Sequence, residues 1–261
     1  MTQPRLLVIS ALDPSAGAGM LMDLKAGRAA GASLVGALTA ITVQGPGGVR
    51  AVHPVESGIL KAQIETLADE LPIGAVKIGA LASDENVKVV ARFLRSAPKI
   101  PVLLDPVIKP TRGVSLMSRE AVEEMTRKLL PNSTVITPNT LEAELLTDMD
   151  IDSETMMIEA GRKLLDMMGG DGDRWALIKG GHLEGHPVDV LVGKNTVRRY
   201  HSKRRPGEFR GTGCALASAV AAGLSIGREV PDAVKRARRM LIRWMDKAPA
   251  YRDGSPRRLR P

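Results

Sequence analysis

Short apolar runs alternate with stretches of helical periodicity along almost the whole chain, and this leaves few folds open to it. Residues 5–10 read as a strand, 17–31 as a helix, 34–43 as a strand, and 56–71 as an amphipathic helix that stops before Pro72. Residues 75–79, 102–105 and 134–137 are further short apolar strands, each followed by polar turn residues and then a helix. A helix over 153–168 leads to a strand at 175–179. Residues 188–192 and 196–201 form an antiparallel pair across Gly193-Lys194-Asn195, and helices at 213–226 and 231–247 close the pattern. Such alternation is the mark of βαβ units, whose parallel strands must be covered by helices on both faces. Proline and glycine are spread among the turns rather than pooled in a linker. Residues 1–247 therefore read as one domain, and 248–261 as a basic tail expected to be flexible.

Composition excludes several classes. A single cysteine rules out an intramolecular disulfide framework and fits a reducing compartment. The N-terminus lacks a signal-peptide pattern and no apolar run approaches membrane-spanning length, so a cytoplasmic protein with no membrane partner is expected. The formal charge of +8 is concentrated late, at Arg198-Arg199, Lys203-Arg204-Arg205, Lys235-Arg236, Arg238-Arg239 and Arg257-Arg258. These clusters lack the stacking aromatics of a nucleic-acid surface, and nucleic acid is not an expected partner. Attraction of polyanionic substrates is a sufficient use for the charge.

In parallel open sheets, ligands bind beyond the carboxyl ends of the strands. That rule selects Asp13, Gln44, Lys77, Asp105, Asn139, Glu142, Lys179 and Cys214, an inventory suited to phosphoryl transfer. Gly211-Thr212-Gly213-Cys214 heads a helix of small residues, so its N–H groups and the helix dipole can converge on one anion. A thiol in that first turn is expected to have its pKa lowered. The same tetrapeptide also suits a tightly packed loop-to-helix junction, and a lone cysteine in apolar company is ordinarily a small buried hydrophobe.

Dispersed motifs in register then point to one family. Asp13-Pro14-Ser15-Ala16-Gly17-Ala18-Gly19 with Asp23-Leu24-Lys25, Leu38 to Gln44, Val76-Lys77-Ile78-Gly79, Leu104-Asp105-Pro106-Val107, Ile136-Thr137-Pro138-Asn139 with Glu142, Lys179-Gly180-Gly181-His182, and Gly211 to Cys214 together resemble the hydroxymethylpyrimidine/phosphomethylpyrimidine kinases of thiamine biosynthesis. The resemblance implies a ribokinase-like three-layer α/β/α sandwich with a mainly parallel central sheet. It implies ATP-dependent phosphorylation of 4-amino-5-hydroxymethyl-2-methylpyrimidine phosphate, with the free alcohol as a second acceptor, and, by family habit, a homodimer. By matched position, Gln44 would read the aminopyrimidine through a two-point hydrogen bond, with Ala18, Asp23, Val43 and Ala80 lining the same pocket. Gly211, Thr212 and Gly213 would cradle the transferring group, Lys179 would neutralise it, and Cys214 would take the hydroxyl proton. Asn139, Lys179 and Thr212 would contact ATP, while Asp105 and Glu142 would organise Mg²⁺.

The chain departs from the family's habit at several places. Ala11-Leu12 replaces a glycine-serine, Ala80 replaces a methionine, residues 108–115 lack a Lys-Ser-Gly-Asp loop, the Gly-rich C-terminal segment is missing, and Arg210 stands where histidine is common. Arg210, with Arg112 second to it, is expected to grip an acceptor phosphate and so favour the monophosphate. A pyridoxal-type vitamin kinase of the same fold and a non-catalytic pyrimidine-binding sensor are the alternative readings.

Overall fold

The computed structural model describes residues 4–96, 99–110, 112–169, 172–181, 186–249 and 256–259. Its centre is a nine-stranded sheet built from β1 (Arg5–Leu12), β2 (Ser33–Gly45), β3 (Gly48–Pro54), β4 (Ile73–Ile78), β5 (Val102–Leu104), β6 (Val135–Ile136), β7 (Trp175–Gly180), β8 (Val188–Gly193) and β9 (Thr196–His201). The spatial order is β3-β2-β1-β4-β5-β6-β7-β8-β9. From β2 to β7 every pairing is parallel; β3 adds antiparallel at one edge, and β8 with β9 antiparallel at the other. The chain leaves β1 toward β2 on one side and returns to β4 on the other. The strand order therefore reverses at β1/β4, the place where an open parallel sheet binds ligands beyond its carboxyl ends.

Both faces of β1 are buried, which is why it reads as a continuous apolar run rather than an alternating one. Leu7 and Ile9 join Val76, Ile78 and Leu104 in the core beneath α2 (Ser57–Glu70), α3 (Asp84–Ser96), α4 (Arg119–Lys128), α5 (Thr140–Thr147) and α6 (Glu154–Met167). Leu6 and Val8, pointing the other way, join Ala75, Leu103 and Leu177 beneath α1 (Gly19–Ala29), α7 (Thr212–Ser225) and α8 (Val230–Lys247). The result is the three-layer α/β/α sandwich that the resemblance implied. Helix α7 lies deepest: every residue from Ala215 to Ser225 is buried, and its small side chains let α1 and α8 approach closely.

Two features depart from the sequence expectation. Strand β3 is not legible in the sequence, because its half-exposed residues alternate poorly. In the tail, Arg257–Arg258 (β11) pairs with Phe209–Arg210 (β10) in a parallel bridge, and Leu259 is buried in the α7/α8 core. The described part of the tail is thus anchored to the body. Among the described residues, no helix is long and apolar enough to cross a membrane.

Candidate active site

The carboxyl ends of β1, β4, β5, β6 and β7 lie at one end of the sheet, where the N-termini of α1 and α7 meet them. Gly211 forms the turn into α7 with φ +76°, a left-handed conformation that favours glycine. A Cβ there would lie 2.0 Å from the Gly17 carbonyl oxygen and 3.5 Å from the Cα of Ala18, so the cradle is locked against the loop before α1. Gly213 has one neighbour where a Cβ would stand, Lys179 Nζ at 3.2 Å. The lysine amine therefore sits at the mouth of the cradle, as expected for a cation serving a bound anion.

Lys179, at the end of β7, donates to Asp105 Oδ1 at 2.9 Å, and Thr137 donates to the same oxygen at 3.0 Å. Burial opposes charge on Asp105, but Lys179 and Lys77 hold its carboxyl below the ordinary range. Burial likewise opposes the charge on Lys179, and Asp105 and Glu142 overcome it, keeping the amine protonated. Asp105 Oδ2 is buried with no partner among the described residues. The strand carrying Lys179 is held from its far side, where Gly180 N–H donates to Asp189 Oδ1 at 3.1 Å and Arg238 from α8 pairs with the same carboxylate. His182 lies outside the described residues.

Asn139 and Glu142 are brought to this site, with their side chains already engaged. Asn139 caps α5 by accepting from Glu142 N–H at 2.8 Å, and Glu142 Oε2 accepts from Asn139 N–H at 2.8 Å, a reciprocal capping box. Burial, against the pull of Lys179, pushes the Glu142 carboxyl up to about 7. Thr212, the first residue of α7, is half-buried.

Three expectations need correction. Asp23 does not line a pocket: it is fully buried and ion-paired with the fully buried Lys77 at 2.9 Å, and Ser218 donates to its other oxygen at 2.8 Å. Ser218 stands one turn below Cys214 on α7, so this buried pair lies directly beneath the cysteine. Arg210 does not present an open guanidinium. Its Nη1 donates to Gly45 O at 2.6 Å and Ser15 Oγ at 3.1 Å, and its Nη2 to Asp13 Oδ2 at 2.8 Å. Arg112, in turn, is paired with Glu208 at 2.8 Å.

The third correction concerns the thiol. Cys214 is partly buried where the N-termini of α1 and α7 meet, and the Gly19 N–H reaches its sulfur. Dipoles and Lys77 favour a thiolate, yet burial, with Asp23 and Asp105 nearby, outweighs them and pushes the thiol up to about 12. Burial thus favours the neutral thiol in the ligand-free site. Since this is the only cysteine, alkylation reports on it alone. The iodoacetamide rate in ligand-free protein is expected to climb about tenfold per pH unit up to pH ~10 without levelling; a plateau by pH 8 would show a resting thiolate.

Gln44, one residue before the end of β2, has its Oε1 accepting from Thr42 Oγ1 at 3.0 Å, while no described residue engages its Nε2. Ala11, Ala40, Val49, Ala80 and Leu116 form a small apolar cluster at the adjoining strand ends, which brings two of the family departures, Ala11 and Ala80, into one floor. Thr39 Oγ1 fixes that floor by donating to Ala80 O at 2.6 Å. Val43, immediately before Gln44 on β2, is half-exposed. A separate groove of about 340 Å³ between α1, α7 and α8, lined by Arg228, Arg236, Arg239 and Arg243, lies toward the other end of α7 and contains none of these groups.

A glycine turn at the head of α7, an ion-paired lysine set against it and a parallel sheet whose strand order reverses at β1/β4 place the chain in the ribokinase-like class of small-molecule phosphotransferases. Within that class, the chain belongs to the phosphomethylpyrimidine kinase family, whose model matches residues 13–256. It is 38% identical over 239 residues to a hydroxymethylpyrimidine/phosphomethylpyrimidine kinase of Streptomyces coelicolor, covering 91% of this chain and 87% of that one. Among solved structures, a phosphomethylpyrimidine kinase from Clostridium difficile superposes with a TM-score of 0.80 at 35% identity, covering 92% of this chain and 98% of that one. The pyridoxal kinase of Staphylococcus aureus in complex with pyridoxal superposes with a TM-score of 0.88 at 26% identity, covering 100% and 94%.

Sequence position flags Lys77 and Asp13 by their places after strands but gives neither a role, and it passes over Ser218, Thr137 and Asp189. A lysine inside the apolar run Ala75-Val76-Lys77-Ile78 is the available signal, since a charge there demands a buried partner.

Proposed function

We propose that the chain transfers the γ-phosphoryl group of ATP to the phosphate oxygen of 4-amino-5-hydroxymethyl-2-methylpyrimidine phosphate, giving ADP and the pyrimidine diphosphate used in thiamine biosynthesis, and to the hydroxymethyl oxygen of the free alcohol, giving ADP and the monophosphate. The observation that carries this reading is the convergence of Lys179 Nζ on Gly213 at the head of α7, with the Gln44 amide on the acceptor side. Lys179 and the N–H groups of residues 211–214 would hold the transferring phosphoryl, which spreads charge over its oxygens as the bond to the leaving group loosens. Gln44 would orient the ring by donating through Nε2 and accepting through Oε1.

Magnesium, when bound, would neutralise phosphate charge. The residues present fit such an ion: Asp105 Oδ2, beside Lys179, is a buried carboxylate oxygen with no partner among the described residues. Glu142 is occupied as a cap and would act at longer range. Among the described residues no group of three acidic, histidine or cysteine side chains is arranged for a metal. That suits an ion held largely by phosphates and water, the usual state of magnesium in kinases.

With Arg210 and Arg112 both engaged in ion pairs, neither explains a preference for the monophosphate. ATP turnover with the hydroxymethylpyrimidine, its monophosphate and pyridoxal tests the reading. Both pyrimidines are expected to be phosphorylated, and pyridoxal turning over faster than either would favour the alternative vitamin kinase. Gln44→Leu is expected to raise the KM for the pyrimidine by about 10- to 100-fold, the loss of a buried two-point hydrogen bond, while leaving the KM for ATP within a few-fold. Equal weakening of both substrates would remove Gln44 from the acceptor pocket.

A further inference from the structure

We propose that Arg210 is a positioning residue, the bolt that sets the distance between the anion cradle and the acceptor-reading turn, and that the C-terminal segment holds it in register. The inference rests on the proposed reading of Gln44 as the acceptor contact. Arg210 immediately precedes Gly211, and its half-buried guanidinium joins two segments far from it in the chain, the loop at Asp13–Ser15 and the end of β2. Nη1 reaches the carbonyl of Gly45, the residue after Gln44, and Nη2 reaches Asp13. Asp13 is itself buried and organises the loop before α1, accepting from Ser15 N–H at 2.9 Å, Ser15 Oγ at 2.7 Å and Gly17 N–H at 3.2 Å. Gly17 leaves room for the arrangement, since a Cβ there would lie 3.3 Å from Cδ, Nε and Cζ of Arg210. Charge-assisted donors on a planar fork fix direction as well as distance, which a single lysine ammonium does not.

The backbone of the same residue is held from the other side. Arg210 pairs with Arg258, Arg257 N–H donates to Glu208 O at 2.8 Å, and the Arg257 guanidinium lies 5.6 Å from the centre of the Phe209 ring. Leu259, buried in the α7/α8 core, anchors this strap. The Arg112–Glu208 pair ties the loop after Asp105 to the same strand, and Val49 N–H donates to Arg112 O at 3.0 Å, joining that loop to the start of β3. Phosphoryl transfer depends steeply on how reacting atoms are placed, and a shift of about 1 Å costs on the order of 100-fold. A bolt between cradle and acceptor turn is therefore a rate device even though it touches neither substrate.

The test compares wild type with Arg210→Ala, Arg210→Lys, Asp13→Asn and a chain ending at Pro249. Steady-state kinetics is run on the free alcohol and the monophosphate, and amide hydrogen exchange on the ligand-free proteins. Arg210→Ala is expected to lower kcat by 10-fold or more with both acceptors alike, to speed exchange at residues 13–19 and 44–48, and to recover partly on addition of guanidinium ion. Arg210→Lys and the truncation should fall between, and Asp13→Asn combined with Arg210→Ala should add little to Arg210→Ala alone. A loss confined to the monophosphate would identify a phosphate clamp instead and overturn the proposal, as would unchanged exchange in the two loops. If wild type phosphorylates neither pyrimidine, the acceptor reading fails while the exchange data still decide the bolt.

Discussion

Lys179→Met is expected to lower kcat by about 10²- to 10³-fold while leaving pyrimidine binding measurable, because the amine is the one cation described at the mouth of the cradle and removing a single preorganised charge from such a site costs that much. The substitution keeps the length of the side chain but leaves Asp105 without its 2.9 Å partner. Part of the loss should therefore reflect an unpaired buried carboxylate. The double variant Lys179→Met with Asp105→Asn separates the two effects: if turnover returns to within tenfold of wild type, Lys179 serves Asp105 and not the phosphoryl group. Full activity of the single variant in folded protein would remove it from the chemistry altogether.

Lys77→Met is expected to destabilise the fold by about 3–5 kcal/mol, the cost of stranding a buried charge when its partner is removed. For a domain of this size that corresponds to a fall in Tm on the order of 10 °C. Asp23 and Lys77 are both inaccessible to solvent, and Asp23 sustains the protonated lysine against the burial that opposes it. The companion variant Lys77→Met with Asp23→Asn removes both charges and should recover most of the stability. If the double variant instead melts at the temperature obtained by adding the two single losses, the pair is not coupled and a stranded charge is not the cause. The same double variant removes the charges of Asp23 and Lys77 from beneath Cys214 and leaves that of Asp105, so its alkylation profile reports how far the pair sets the thiol.

Much of the architecture is legible along the chain. The strands β1, β4, β5, β6 and β7 lie within apolar runs because a strand covered on both faces cannot alternate, and α7 declares itself by small residues that only a helix pressed between two others requires. The cradle, Gln44, Asp105 and Lys179 are located by their place after strand ends, a rule that follows from parallel topology alone. Strand β3 escapes because an edge strand that is half-exposed has no apolar face to advertise.

What the linear order does not supply is the partner of each charge. Arg210 reads as an open clamp because a guanidinium beside an anion cradle has that chemistry; its ion pair with Asp13 spans 197 positions, and no local pattern carries such a contact. Asp23 reads as lining a pocket, and the lysine that buries with it is 54 positions away. Cys214 shows the same limit in its sharpest form. Its place in the first turn of α7 determines the dipole, which lowers the pKa, whereas the larger and opposite effect is burial, a sum over α1, β4 and β5 that exists only once those elements have packed. Local order carries most of the buried strands and helices and most of the side chains that reach the open end of the sheet, since periodicity and strand ends are local properties. Tertiary structure alone decided which of those side chains are free, which are spent on one another, and in what protonation state they wait, because desolvation and ion pairing depend on neighbours brought from distant parts of the chain.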